Sequence, residues 1–307
     1  MPEEAHLMQC SEVWGGNDEV DRAVAMPGLD AWVLSKPSGG DASGGDIHYV
    51  SSCATGRITR ILVADVAGHG SEVSALALRL RGLMRRFVNY IDQTRLMELV
   101  NREFAAIRTE GRFATALLAT YWGPTGDLEV TSAGHPPPLL FRAEKGTWDY
   151  VTLERESSVQ DLPLGVLDEA RFGKTRLRMR PGDVMMLYTD ALLEARADGG
   201  PLLGPRQLLE MARAVRVPDD GTFARTLVER VREYSGRDTL DDDATVLALR
   251  RNDVRRPRGS IRAGLSAVAQ FAKEISLAVA GKGPQVAWPE ARRDNLLGAW
   301  MDRFNRR

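Results

Sequence analysis

Hydrophobic and polar positions change period several times along the chain, and each change marks an element. Ala31–Leu34 and Ile47–Val50 read as strands around a Gly/Ser-rich turn, and Ile58–Ala64 is a continuous β-branched and apolar run. After Gly68-His69-Gly70 the period becomes helical: Val73, Ala77, Leu80, Met84 and Phe87 fall on one stripe, with Ser71 available as the cap. Leu96, Leu99, Val100, Phe104 and Ile107 make a second stripe, with Asp92 or Thr94 near its start. Residues 113–142 read as a β-meander, in which Ala114–Trp122, Leu128–Ser132 and Leu139–Phe141 are separated by Gly/Pro turns. Thr175, Leu177 and Met179 alternate with basic residues as in a half-exposed strand. Pro181-Gly182-Asp183 then turns into the apolar run Val184–Tyr188. Helical stripes return at Arg206–Val215 and Phe223–Tyr234, and Thr245–Leu249 is the last strand of the body. Strands in antiparallel runs with helices in pairs between them predict a layered α+β fold rather than a doubly wound parallel sheet.

Two parts of the chain stand apart from this pattern. Residues 1–29 give a turn signal at Gly15-Gly16-Asn17 but no clear period, and read as an N-terminal extension. Residues 251–307 hold 12 Lys/Arg against 5 Asp/Glu, a net of +7, although the whole chain carries −1. They also carry two apolar stripes, one from Ile261 to Val279 and one from Leu297 to Phe304. The expected organisation is therefore an extension over 1–29, a catalytic domain over 30–250, and a basic helical C-terminal extension over 251–307. The last is expected to contact a partner or a second copy of the chain.

Composition narrows the class. With 43% apolar and 27% charged residues the chain is an ordinary globular one. Cys10 and Cys53 have no CxxC partner, so neither a disulfide framework nor a structural zinc site is expected. No apolar run approaches the ~18 residues of a membrane span, and no basic-then-apolar leader is present, so a cytoplasmic protein is expected. Arg255, Arg256, Arg258 and Arg262 read as a solvated face, and no nucleic-acid partner is expected. Gly281-Lys282 lacks the earlier glycine of a P-loop, and Gly68-His69-Gly70 lacks the third glycine of a dinucleotide fingerprint.

The candidate chemistry lies in aspartates at strand ends. Asp46 follows Gly44-Gly45, Asp65 ends Ile58–Ala64, Asp190 follows Val184–Thr189, and Asp241-Asp242-Asp243 precedes the last strand. Each taken alone is ordinary turn chemistry, and Asp183 after Pro181-Gly182 reads as a turn only. Together, carboxylates without histidine partners favour hard ions such as Mg2+ or Mn2+. Two such ions about 3.5–4 Å apart could activate a water and clamp a phosphoryl group.

The flanking residues resemble those of a known family. Gly44-Gly45-Asp46, Ala64-Asp65-Val66-Ala67-Gly68-His69-Gly70, Phe113-Ala114-Thr115, Ser132-Ala133-Gly134-His135-Pro136, Leu162-Pro163-Leu164-Gly165, Tyr188-Thr189-Asp190 with Glu194-Ala195, and Asp242-Asp243-Ala244-Thr245 occur in the order of the SpoIIE-like bacterial branch of the metal-dependent (PPM, type 2C) serine/threonine protein phosphatases. The resemblance implies a four-layer α/β/β/α sandwich of two antiparallel sheets flanked by helix pairs. It implies hydrolysis of phosphoserine or phosphothreonine without a covalent intermediate, at two Mn2+ or Mg2+ ions. It further implies that Asp65 bridges the ions, that the Val66 carbonyl ligates one, that Asp190 and Asp242 complete the shell of the other, and that Asp46 acts through bound water. The partner implied is a phosphorylated regulator in a partner-switching system, such as an anti-sigma-factor antagonist.

The chain also departs from the pattern. Ala191 stands where the family has glycine after its third aspartate, which raises the question of whether the loop needs another backbone there. Ala67 stands where animal enzymes place a histidine. His69 reads as a helix-entry residue rather than a proton donor, and His135 as a turn former. No arginine is assigned as a phosphate clamp. The duplicated Ser38-Gly39-Gly40-Asp41 offers the same local chemistry as Ser43-Gly44-Gly45-Asp46, and Asp46 is preferred because it runs straight into a strand. Two other functions compete: a catalytically weak phosphoprotein-binding module and a two-metal phosphoesterase for a small molecule. Retention of all four aspartates speaks against the first.

Overall fold

The computed structural model of the chain describes residues 6–7, 13–26, 28–40, 42–52, 57–109, 111–154, 161–197, 199–217, 221–237 and 239–252. The expected C-terminal helical extension, apart from Arg251 and Asn252, and the first Gly-Gly-Asp aspartate, Asp41, lie outside them.

One sheet contains β2 (Val13–Asp18), β5 (Ser43–Ser52), β6 (Ile58–Val66), β7 (Ala114–Trp122), β8 (Asp127–Ala133) and β11 (Thr175–Arg178), in the order β11-β8-β7-β6-β5-β2. The other contains β1 (His6–Leu7), β3 (Val20–Met26), β4 (Leu29–Lys36), β9 (Leu139–Arg142), β10 (Thr147–Tyr150), β12 (Val184–Tyr188) and β13 (Ala244–Arg251), in the order β1-β3-β4-β13-β12-β9-β10. Every pairing is antiparallel except β1 with β3. The helices are α1 (Ser71–Phe87), α2 (Gln93–Ile107), the short α3 (Ala191–Glu194), α4 (Gly204–Ala214) and α5 (Thr222–Ser235).

Side-chain alternation sorts these strands into layers, because successive residues of a strand face opposite sides of the sheet. Ile47, Tyr49, Leu62, Ala64, Ala116 and Leu118 pack under α1 and α2. Their neighbours Val50, Ile61, Val63, Leu117 and Ala119 face the other sheet and meet Val33, Met185, Leu187, Leu247 and Leu249. Beyond that sheet, Val246, Ala248, Met186 and Tyr188 pack against α3, α4 and α5, where Trp148 stacks on Phe223 with ring centroids 4.5 Å apart. This is the expected α/β/β/α sandwich.

Two boundaries differ from the sequence reading. Residues 13–26, expected to lie in an extension before the domain, supply a strand to each sheet: β2 pairs with β5 and β3 with β4. The glycine pair and Asn17 inside β2 give a turn-like composition that masked a strand held by its partner. Helix α1 begins after Gly70, which has φ 92°, so the N-cap is that glycine rather than Ser71, the first helical residue. Helix α2 starts as expected, with Asp92 accepting the Thr94 backbone N–H at 3.1 Å. Among the described residues no helix is long and apolar enough to cross a membrane.

Candidate metal centre

Register brings the first two aspartates together. Asp46 on β5 is the direct cross-strand partner of Asp65 on β6, and Asp65 pairs in turn with Thr115 on β7. Asp65 shares the strand face of Ile61 and Val63, so by the two-residue period its carboxylate belongs to the cleft between the sheets. Asp46 lies on the same side as Val50 and is only 3% exposed. The facing sheet holds it: the Thr189 hydroxyl donates to Asp46 Oδ2 at 2.8 Å, and the same Thr189 oxygen accepts the Thr245 backbone N–H at 2.9 Å. One hydroxyl thereby ties the ends of β12 and β13 to β5.

The other two aspartates arrive on the turns that leave these strand ends. Asp190 caps α3, and its backbone carbonyl accepts from Leu193 and Glu194 at 2.7 and 2.9 Å. Ala191 is the first residue of that helix and Asp190 has right-handed φ/ψ, so the position needs no glycine, and the question raised by the missing one is resolved. Asp242 is exposed at the start of β13.

Asp65 lies within electrostatic reach of Asp46, Asp190 and Asp242, and Asp190 within reach of Asp242. Burial, then the Asp190, Asp242 and Asp243 carboxylates and Glu194, push Asp65 up to about 7. Burial and then Asp65 push Asp46 well above the usual carboxylate range, against the Thr189 hydrogen bond. Asp190 is raised by burial, Glu194 and Asp242; Asp242 is raised by burial, which its hydrogen bond from the Asp243 backbone and the nearby His69 only partly offset. His69 is exposed in the turn entering α1, as a helix-entry residue would be.

Sequence reasoning passed over the residue that shapes the Gly-Gly-Asp loop. Asp243 is buried and accepts the backbone N–H of Ser38 and of Gly45, both at 2.6 Å. A Cβ on Gly44 would sit 2.2 Å from Asp243 Oδ2, and one on Gly45 would sit 2.8 Å from the Val66 carbonyl oxygen. The glycine pair therefore admits the Asp243 carboxylate and lets the backbone at Gly45 pass close to the buried Val66 carbonyl oxygen. The signal was present, since Asp243 adjoins Asp242, but nothing local distinguishes a carboxylate that holds a loop from one that faces a cleft. Thr189 lay within the Tyr188-Thr189-Asp190 match, but nothing there assigned it a role of its own.

Several neighbours are structural. The Ser132 hydroxyl and the His135 backbone exchange hydrogen bonds at 3.1 Å, the turn expected of His135. Its Nδ1 also meets the Thr115 hydroxyl at 2.8 Å, and burial lowers the imidazole to about 4, so it is neutral. Asp183 is a turn residue, as read, and more: its carboxylate accepts from Arg142 at 2.8 Å, the Ala143 N–H at 3.0 Å and the Arg180 N–H at 2.8 Å. Arg112 donates to the Ala67 carbonyl at 3.1 Å beside this loop.

Among the described residues no three His, Cys, Asp or Glu side chains already converge on a point where a metal ion could sit. The donor set nevertheless fits a hard divalent cation. It is all oxygen, it sets carboxylates beside the Val66 backbone carbonyl, and it gathers like charges whose ionised forms a cation would favour.

Two stacked antiparallel sheets with carboxylates at one edge of the inter-sheet cleft define a domain of the PP2C fold. The fold is shared with the SiaA PP2C domain of Pseudomonas aeruginosa (TM-score 0.61, 20% identity, 72% of this chain and 85% of that one). It is also shared with the RsbU and RsbW domains of Rv1364c from Mycobacterium tuberculosis (TM-score 0.60, 24% identity, 85% and 71%). The chain belongs to the SpoIIE family: the family model described as Stage II sporulation protein E matches residues 55–252. A curated relative, phosphoserine phosphatase RsbU of Bacillus subtilis, is 23% identical over 226 residues, 73% of this chain, and the match spans 63% of that protein's length.

Proposed function

We propose that the chain is a metal-dependent phosphoprotein phosphatase acting on phosphoserine or phosphothreonine. The observation that carries this reading is the gathering of Asp46, Asp65, Asp190 and Asp242 from two facing sheets at one cleft edge, with pKa values raised by burial and by neighbouring carboxylates. Asp65, the Val66 carbonyl, Asp190 and Asp242 would hold two Mn2+ or Mg2+ ions, with Asp65 shared between them and Asp46 supporting from behind. Bound there, the ions would lower the pKa of water and offset charge on the phosphoryl oxygens.

The chain's own residues supply the geometry. Strand pairing on both sides fixes the Asp65 backbone between Asp46 and Thr115. Thr189 fixes the rotamer of Asp46. The neutral His135 holds Thr115, the residue paired with Asp65 on its other side.

The substrate class follows from family and relatives. RsbU is named a phosphoserine phosphatase, and one solved structure of this fold carries an RsbU and an RsbW domain. A phosphorylated regulatory protein in a partner-switching system, such as an anti-sigma-factor antagonist, is the partner we propose.

The test is hydrolysis of a phosphoserine peptide and of a small phosphoester, with and without added Mn2+ or Mg2+. Peptide turnover should require the metal and stop with a chelator. Undiminished turnover in chelated protein would sink the mechanism. Preference for the small ester would move the assignment to a small-molecule phosphoesterase, and metal-dependent binding without turnover to a phosphoprotein-binding module.

A further inference from the structure

The segment that presents Asp46 pairs with β6 on one side but has no continuous ladder to β2 on the other. Between β2 and β5 the register runs Gly16 opposite His48 and then Asp18 opposite Ser43, so two steps on β2 span five on β5. Residues 44–47 therefore bulge out of the ladder, and a bulge leaves backbone groups without their cross-strand partners. Asn17, the β2 residue at the slip, fills that gap. Its side chain is 2% exposed, and its amide donates to the Gly44 carbonyl at 2.9 Å, to Ser74 Oγ at 2.8 Å and to the Ser74 carbonyl at 3.3 Å. Ser74, in the first turns of α1, also shares a hydrogen bond of 2.8 Å with the Ser43 hydroxyl.

These contacts close a ring. From Asp65 the chain passes through 67–70 into α1, whose Ser74 meets Asn17. Asn17 holds Gly44, and two residues on is Asp46, paired back to Asp65. On the other side of the loop Asp243 holds the Gly45 N–H. The Gly-Gly-Asp loop is thus gripped from above by a carboxylate and from below by an amide.

We infer that Asn17 is a positioning residue for the candidate metal centre: by bonding the Gly44 carbonyl to α1 it fixes the bulge that sets Asp46 against Asp65. The inference rests on the proposed function. It places part of the site's support in β2, well before residue 55 where the family match begins. An amide is the group suited to the place, since two of its three acceptors are backbone carbonyl oxygens, which a carboxylate would repel and an alkyl group would leave unpaired.

The test is direct Mn2+ binding to the full chain, read by calorimetry or by the paramagnetic signal of free Mn2+, without substrate. Asn17→Ala should weaken binding about 10-fold or more, the range found when a partner of a metal ligand is removed. Leu227→Ala, in the helix layer on the far side of the molecule, lowers stability without touching the loop and should leave Mn2+ affinity unchanged. If Asn17→Ala does not fold, Ser74→Ala decides: it keeps the bonds of Asn17 to the Gly44 and Ser74 carbonyls but removes the Oγ contacts that tie α1 to Asn17 and Ser43, and should weaken binding by about 3-fold, a modest part of the effect of losing a partner of a metal ligand. Unchanged affinity in Asn17→Ala, or in Ser74→Ala where only that variant folds, overturns the inference and leaves the proposed function standing. Absence of Mn2+ binding in the unsubstituted chain overturns both.

Discussion

At the scale of single residues, the centre depends on groups that differ greatly in how visible they are in the sequence. Asp46, Asp65, Asp190 and Asp242 could be picked out because aspartates at strand ends, in that order, carry a pattern. Asp243, Thr189 and Asn17 could not, since each acts on a residue remote in the chain, and only folding makes them neighbours. Asp46→Asn should lower turnover of a phosphopeptide by at least ~10-fold at saturating Mn2+. Asp65→Asn should be worse, because it removes the carboxylate proposed to be shared. Steady-state turnover of the purified variants, with folding followed by circular dichroism, ranks them; a milder loss at Asp65 than at Asp46 would reverse the proposed roles. Gly44→Ala tests the loop itself. Its new methyl would meet the Asp243 carboxylate at 2.2 Å, and that carboxylate is pinned by two backbone N–H groups. Overpacking of this kind costs roughly 1–3 kcal/mol, and the midpoint of urea unfolding should fall accordingly.

At the scale of elements, legibility tracked how far each segment's period was set by its own burial. Helices α1 and α2 each bury one stripe, and both were found within a residue or two. Strands β6 and β12 are apolar on both faces because both sheets are covered, and they too were plain. Strand β3 defeats this logic. Its first residues are partly or fully exposed and only its last turn inward, so pairing with β4 rather than patterning makes it a strand. Strand β10 is four residues long and is fixed by its hairpin with β9 and the buried Trp148. The helices outside the second sheet are held mainly by side-chain burial. Leu227→Ala on α5, fully buried against that sheet, should cost about 2–5 kcal/mol in urea or thermal unfolding.

At the scale of the whole molecule, the cleft stores like charge that folding must gather, and this sets a pH dependence. Asp65 is raised to about 7 and Asp46 is raised as well, so between about pH 4 and pH 7 the folded chain binds more protons than the unfolded one. The associated stability is fully present below that window and is lost as pH rises through it. In chelator, the melting temperature should therefore fall between pH 5.5 and pH 8, and Mn2+ should narrow the difference by favouring the ionised carboxylates. Calorimetry checks it, and a rise over that range in chelator would contradict the electrostatics described. The ends of the chain separate in the same way. A chain starting at residue 30 loses β2 and β3, uncovers the edges of β4 and β5, and should be insoluble. A chain ending at Asn252 retains every described strand, and should stay folded and active if residues 253–307 serve a partner or a second copy of the chain, as we propose. The position of β13 has a consequence for synthesis. It is the last of the described strands, yet it lies between β4 and β12 at the middle of its sheet, and Asp242 and Asp243 stand at its threshold. A ribosome must deliver nearly the whole domain before that sheet can close. A nascent fragment that lacks β13 cannot assemble the cleft, so the proposed activity stays silent until translation has passed that strand.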